Sequence, residues 1–322
     1  MKHVITTGAA ALTLLGFGAM GIAQAETVGI AASKKGSLYD RAGTVIAKVA
    51  TNQGKLPATL RNFTSPNVYI PSINKGQVDF GLANEYELSI AVTGEGHFKG
   101  RKHPNLRAVF IMFPLRNGFW VRKDSKYKTI ADLKGARSPD GYVAQKVILN
   151  LIDAHLETAG LTRKDLKPVP VANIVAGANA FISGKTDVFL FAMGAPKVRE
   201  AHAKIGIRAL AIPNTPENLA KMRKHMPVAY FRREVPGKHN PGVTAPMYAL
   251  TYDALVFAHE GTSAEKVYQL VKTMHANKKA MAAAWPVYNL FNPKRMNKKM
   301  GPVAWHEGAI KFYKEQGLWP PK

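Results

Sequence analysis

The chain has no cysteine. That excludes a disulfide framework, a thiolate metal site and a lipid-modified N-terminal cysteine. Acidic side chains are scarce: 21 Asp and Glu stand against 45 Lys and Arg, giving a formal net charge of +24. Long apolar runs are confined to one place, Val4 to Ile22. Catalytic signatures are also missing. There is no G-x-S-x-G elbow, and none of the ten histidines forms an H-E-x-x-H pair. His306 and Glu307 are adjacent, so on a helix they point two ways. The glycine spacing fits neither G-x-G-x-x-G nor G-x-x-x-x-G-K-[ST], which argues against dinucleotide and P-loop sites. These patterns favour no enzyme activity, no metal and no cofactor.

The apolar run at the start reads as an export signal over residues 1–25. Lys2 supplies the positive beginning, and Ala23-Gln24-Ala25 has the small-x-small form of a cleavage site. A membrane span is the competing reading. The many Gly, Ala and Thr residues and the cleavage site favour export, with a periplasmic product and no stable membrane insertion. The remainder is long enough for two lobes or one large domain, and 46% hydrophobic residues is a globular content. Lys2 is the only charged residue in the leader, so the basic excess belongs to the rest. An exported address argues against nucleic acid. Anionic small ligands, an anionic membrane surface and an acidic partner remain open.

The rest of the chain is organised around the stretch from Thr27 to Ala47. Val28 to Ala32 is a short buried strand, Ser33 to Ser37 a small-residue loop, and a helix runs from about Leu38. Such a turn leaves backbone N–H groups unpaired at the helix start, where they and the dipole favour an anion or a ligand oxygen. An ordinary strand-to-helix turn is the plainer reading. The pattern repeats: a strand Ala58 to Asn62, a short helix after Ser65, a turn at Lys75-Gly76, a strand Asp79 to Ala83 and a helix from Asn84. Alternating strands and helices imply a parallel sheet, and ligands sit beyond the carboxyl ends of such strands. That puts Ser37, Ser65, Asn67, Asn84 and Glu85 at one rim. Ser65 and Asn84 read equally as N-caps.

The run Lys75-Gly76 through Val78-Asp79-Phe80-Gly81-Leu82-Ala83-Asn84 resembles the G-x-x-D-F-G segment of TAXI-type solute-binding proteins. These serve tripartite ATP-independent periplasmic (TRAP) transporters. Gly36-Ser37-Leu38-Tyr39 with Gly43 is similar to that family's glycine loop followed by Tyr, and Ser65 with Asn67 sits where the family has Gly-Ser and then Asn. Gly184-Lys185-Thr186-Asp187 followed by Gly194-Ala195-Pro196 resembles its G-K-x-D and G-x-P elements. Trp305-His306-Glu307-Gly308-Ala309 resembles its terminal H-P-G-A helix. The first glycine pair is replaced here by Ser33-Lys34-Lys35, and Pro66 interrupts the second motif.

The resemblance implies an α/β, two-lobed periplasmic-binding-protein fold of type II-like form, with mostly parallel sheets and an interlobe cleft. The implied lobes are residues 26–117 plus 240–322 and residues 118–214, with 215–239 connecting. It further implies capture of a small anionic solute, a carboxylate or amino acid, and delivery to a TRAP-type permease. Gly36 and Tyr39 then join the first lobe's ligand contacts. From the second lobe Asp140, Gly141 and Tyr142 occupy the ligand-facing loop, although Asp140 is also a simple helix cap. Gly194 either lets backbone approach a ligand or opens a helix ahead of Pro196. The chain is expected to cross between lobes near Leu115 to Trp120. Arg116, close to that crossing, either meets an anionic ligand or is a solvated loop residue.

Val143, Val147 and Leu151, with Ile148 and Ile152, have helical spacing and read as a buried stripe. Residues 213–246 read as irregular. Thr262 and Glu265 have capping-box spacing. Between Glu265 and Glu307 lie eight Lys or Arg and no acid, a solvated face or a docking face for membrane or permease. Two other functions remain: a periplasmic module that reports ligand to a signalling partner, and an exported hydrolase.

Overall fold

The computed structural model describes Met1 and residues 27–321. The expected export signal, residues 1–25, lies outside the described residues apart from Met1. Among the described residues, no helix is long and apolar enough to cross a membrane.

The first half of the molecule begins with β1 (Val28–Ala32), α1 (Leu38–Gly54), β2 (Ala58–Asn62), α2 (Pro66–Asn74), β3 (Phe80–Asn84) and α3 (Glu85–Thr93). β1 is buried along its whole length, and it pairs in parallel with β2 on one side and β3 on the other. Each helix returns the chain to the same end of the sheet, as a parallel pairing of successive strands needs. The strand β4 (Leu106–Arg122) then leaves this half.

The second half holds β5 (Arg137–Gly141), α4 (Val147–Glu157), β6 (Lys167–Val171), α5 (Ile174–Ile182), β7 (Val188–Ala192), α6 (Pro196–Ile205), β8 (Ile207–Ala209), α7 (Pro216–His225) and β9 (Tyr230–Glu234). The strand β10 (Met247–His259) carries the chain back. There α8 (Ala264–Ala276) and α9 (Lys278–Ala284) pack beside α1, and α10 (Glu307–Glu315) packs on α8. Where α8 and α10 meet, Gly308 has no room for a side chain, since a Cβ would lie 2.1 Å from the Ala264 carbonyl oxygen. That contact gives the glycine of the terminal motif a packing role.

The main sheet has the order β2-β1-β3-β10-β4-β7, with β8 also on β4 and β9 also on β10, while β5 and β6 form a parallel pair. The architecture is therefore α/β, but the sheet is mixed rather than mostly parallel. β10 is antiparallel to β3, β4 and β9, and β4 is antiparallel to β7 and β8. The physical reason is that β4 and β10 join the halves in opposite directions, so each must run against its neighbours at the junction. The expected crossing near Leu115 to Trp120 lies within β4, one strand of 17 residues.

Several local expectations are corrected. Residues 213–246 are not irregular throughout. Thr215 caps α7 by accepting from the Asn218 amide, and α7 packs on α4, which associates it with the second half. Val143 is exposed, because α4 begins only at Val147; the rest of the expected stripe is buried. Ser263, not Thr262, caps α8.

Candidate functional site

A cavity of about 50 Å³ lies where the two halves meet. From the first half it is lined by Ser33, Ser37, Leu38, Tyr39, Asn84 and Glu87. Leu115, Asn117 and Tyr252 come from the crossing strands β4 and β10. The second half contributes Gln145, Val147, Ile148, Ile174, Phe191 and Ala192. No lysine, arginine or histidine is among these lining residues.

Helix starts supply much of this lining. Ser37 caps α1, its Oγ accepting from the Asp40 amide at 3.1 Å. Asn84 caps α3, its Oδ1 accepting from the Glu87 amide at 2.8 Å. Asn173 caps α5, and Gln145 Oε1 accepts from the Ile174 amide at 3.0 Å. With α4 beginning at Val147, the positive ends of four helices converge on one small space, a setting that suits an anionic or strongly accepting group.

Several polar atoms in the lining are committed to the protein. Asn117 Nδ2 donates to the Tyr252 hydroxyl at 3.0 Å. Others are not. Ser33 Oγ, the Tyr39 hydroxyl and Glu87 Oε1 are buried without a hydrogen-bond partner. Burial raises the Tyr39 hydroxyl well above its ordinary pKa, reinforced by Tyr252, Glu87 and Tyr69, and the nearby Asn84 amide only partly opposes this. Tyr39 is therefore a neutral donor at neutral pH. Buried polar groups are ordinarily paired, and these three weakly satisfied atoms share one lining.

Of the residues expected to contact ligand, Ser37, Tyr39 and Asn84 line this cavity. Ser65 is outside the lining: its Oγ donates to the Ala144 carbonyl, bridging the two halves. Asn67 is half-buried with Oδ1 unpartnered, outside the lining. Gly36, at φ +86°, makes the turn before α1 and donates to Asp40 Oδ2. The others are placed elsewhere. Glu85 turns away to Lys298 and accepts from the Asp253 amide at 2.9 Å. Asp140 pairs with Arg163 at 3.1 Å on the outer side of the second half. Gly141, at φ +82°, shapes the end of β5. Tyr142 is fully buried, its hydroxyl against α5 at Gly177. At Gly194 the close approach is to this chain's own Val287, 2.9 Å from where a Cβ would stand. Arg116 is neither solvated nor in the cavity: its Nη1 donates to Glu234 at 2.6 Å and to Asn240 at 3.2 Å, with both charged side chains buried.

Sequence reasoning missed Ser33, Glu87, Asn117, Gln145, Phe191 and Tyr252. Only Glu87 left a local trace, standing three residues after the cap Asn84 as in a capping box.

Residues 30–317 match the sequence profile of the NMT1-like family. The chain belongs to that family. Among solved structures, this NMT1-like chain is similar to PhnD1 from Prochlorococcus marinus (MIT 9301) in complex with methylphosphonate. The identity is 12%, the match covers 90% of this chain and 98% of that one, and the TM-score is 0.55. It is similar to R. palustris Rpa4515 with adipate at 16% identity, over 78% of this chain and 82% of that one, with a TM-score of 0.54. A structure described as a periplasmic transporter is similar at 13% identity, over 91% and 94%, with a TM-score of 0.55. At these identities the likeness establishes the fold alone, a two-lobed periplasmic-binding-protein architecture.

Proposed function

We propose that this chain is the extracytoplasmic solute-binding subunit of a TRAP-type secondary transporter. It captures a small carboxylate or amino acid between its lobes, with no bond made or broken, and presents the closed form to a membrane permease. One observation carries the reading: a cavity where the two halves meet, at four converging helix starts, in which Ser33 Oγ and the Tyr39 hydroxyl lack partners. A ligand that contacts both lobes favours the closed form by its differential affinity for that form. Small ligands of the structural neighbours, methylphosphonate and adipate, support an acidic solute here. So do the resemblance of Gly36–Tyr39 and Lys75–Asn84 to TAXI-type proteins and the basic balance of the chain. The basic block remains a candidate docking face. Lys279, Lys294, Arg295 and Lys299 in it are exposed, whereas Lys298 is engaged by Glu85 and Asp253.

A thermal-shift panel of organic acids and amino acids tests the reading. A ligand at a hundred times its Kd adds about 2.7 kcal/mol to stability. Tyr39→Ala and Asn84→Ala are each expected to weaken binding of the best ligand at least about tenfold while the protein still folds, since each removes a buried polar contact. No shift with any compound in the panel, or unchanged affinity in both variants, contradicts the proposal.

A further inference from the structure

The cavity contains a single carboxyl group, Glu87, and that carboxyl has no counter-charge. Glu87 sits in the first turn of α3 and is fully buried. Its Oε2 accepts from Asn84 Nδ2 at 3.1 Å, and its Oε1 accepts from nothing. An ordinary capping box does not explain it: the carboxyl bonds the cap's side chain, whereas in that motif it reaches back to the cap's backbone N–H.

The groups around it leave its charge uncompensated. Tyr39 of α1, Tyr69 of α2 and Tyr252 of β10 face it as neutral phenols. The Tyr69 hydroxyl is bound to the Leu82 carbonyl, and the Tyr252 hydroxyl is bound to Asn117. His97, from the single turn Gly96–Phe98, places Nε2 at 3.8 Å from Oε1. Burial, with Arg101 and Lys146 nearby, drives that imidazole down to about 4, so it is neutral at neutral pH. No lysine or arginine lines the cavity beside it. Burial in this setting pushes the Glu87 carboxyl up to about 8.

We infer that Glu87 is the specificity-determining residue of the cleft and takes the ammonium group of a short zwitterionic ligand whose anionic end lies at the helix starts. The inference rests on the solute-capture reading above. The lining offers such a ligand a carboxyl acceptor in Glu87 and donors in the Ser33 and Tyr39 hydroxyls and the N–H groups of the helix starts. A ligand without the amine would leave Glu87 unmatched. At pH 7 the neutral carboxyl gives up its proton when the ammonium arrives, forming a carboxylate–ammonium hydrogen-bonded pair and releasing one H⁺ to solvent. Affinity therefore rises between pH 6 and pH 8 and levels off above that.

Calorimetric titration of matched pairs tests this: β-alanine against propionate, taurine against ethanesulfonate, glutamate against glutarate. Each is run at pH 7 in two buffers of different ionisation enthalpy, which yields the proton count. The expected result is an amine member at least about tenfold tighter than its partner, as a charge-assisted hydrogen bond implies, with close to one proton released. Glu87→Gln is expected to abolish both the preference and the release. Acids without the amine binding as tightly as their partners, or binding of the amine with no proton release, overturn the assignment while solute capture stands. No heat with any member of any pair removes both. The wild-type proton count decides the matter even where the variant folds poorly.

Discussion

Glu234→Ala is expected to destabilise the protein by about 3–5 kcal/mol, the cost of leaving one member of a buried ion pair without its partner. Arg116 is 6% exposed and Glu234 4% exposed, and their contact is 2.6 Å. With the carboxylate gone, the guanidinium keeps only the Asn240 side chain and the Met193 carbonyl, the latter at 3.4 Å. The position of the pair makes the effect more than local. Arg116 lies on β4, Glu234 on β9, and β10 between them pairs with both strands. The ion pair thus fastens the crossing strands to the segment that returns from the second half. Urea unfolding should show the loss as a lower midpoint. The double variant Arg116→Met with Glu234→Leu should regain most of it, because desolvation of both charges offsets their attraction. An unchanged midpoint for Glu234→Ala contradicts this account of the junction.

Glu87→Gln is expected to act in the opposite direction on the unliganded protein, and to do so as a function of pH. The folded carboxyl titrates at about 8, whereas an unfolded one titrates near 4.3. Between those values the native state holds a proton that the unfolded state has released. Stability therefore falls as pH rises, by about 1.4 kcal/mol per unit, and levels off above about pH 8. Glutamine has no such slope. The difference between variant and parent should grow from near zero at pH 4.5 to on the order of 4 kcal/mol in favour of the variant at pH 8. The buried histidines are common to both proteins and drop out of the difference. A variant that is more stable and has lost its amine preference is the behaviour expected when a binding group is held in an unfavourable setting for function. A difference that stays flat with pH would mean that Glu87 is ionised and compensated in the folded protein.

The fold was legible in the sequence wherever a local pattern sufficed. Val28–Ala32 and Val188–Ala192 are short apolar runs with polar ends, and both are strands with those bounds. Asn84 reads as a cap and is one, while Ser65, read equally as a cap, stands at the start of α2 without a side-chain cap bond. The failures occur where distant residues decide. Pro114, Arg116, Asn117 and Gly118 look like a break between strands. They continue as β4 because Arg116 is neutralised by a residue 118 positions later and because Asp253 pairs opposite Pro114. In α7 the cap signal Thr215-Pro216-Glu217 was present, obscured by the Pro-rich, basic stretch around it. At the site, capping residues could be found from spacing, but spacing does not say which caps share a cavity. Ser37 and Asn84 do, while Glu85, next to Asn84, turns to Lys298 on the other side. Gln145, Phe191 and Tyr252 join the cavity only through the packing of separate elements.

Closure of two lobes on a small solute is the claim on which the functional account depends. A chain without cysteine allows a direct test, since two introduced cysteines are the only sites a thiol label can reach. Lys48 on α1 and Lys185 before β7 are both exposed, and Lys48→Cys with Lys185→Cys places one spin label on each half. Pulsed dipolar spectroscopy should give a broad or long distance distribution without ligand and a single shorter distance at saturation with the tightest ligand of the panel. A distribution that does not move when calorimetry shows the ligand bound would contradict capture by closure.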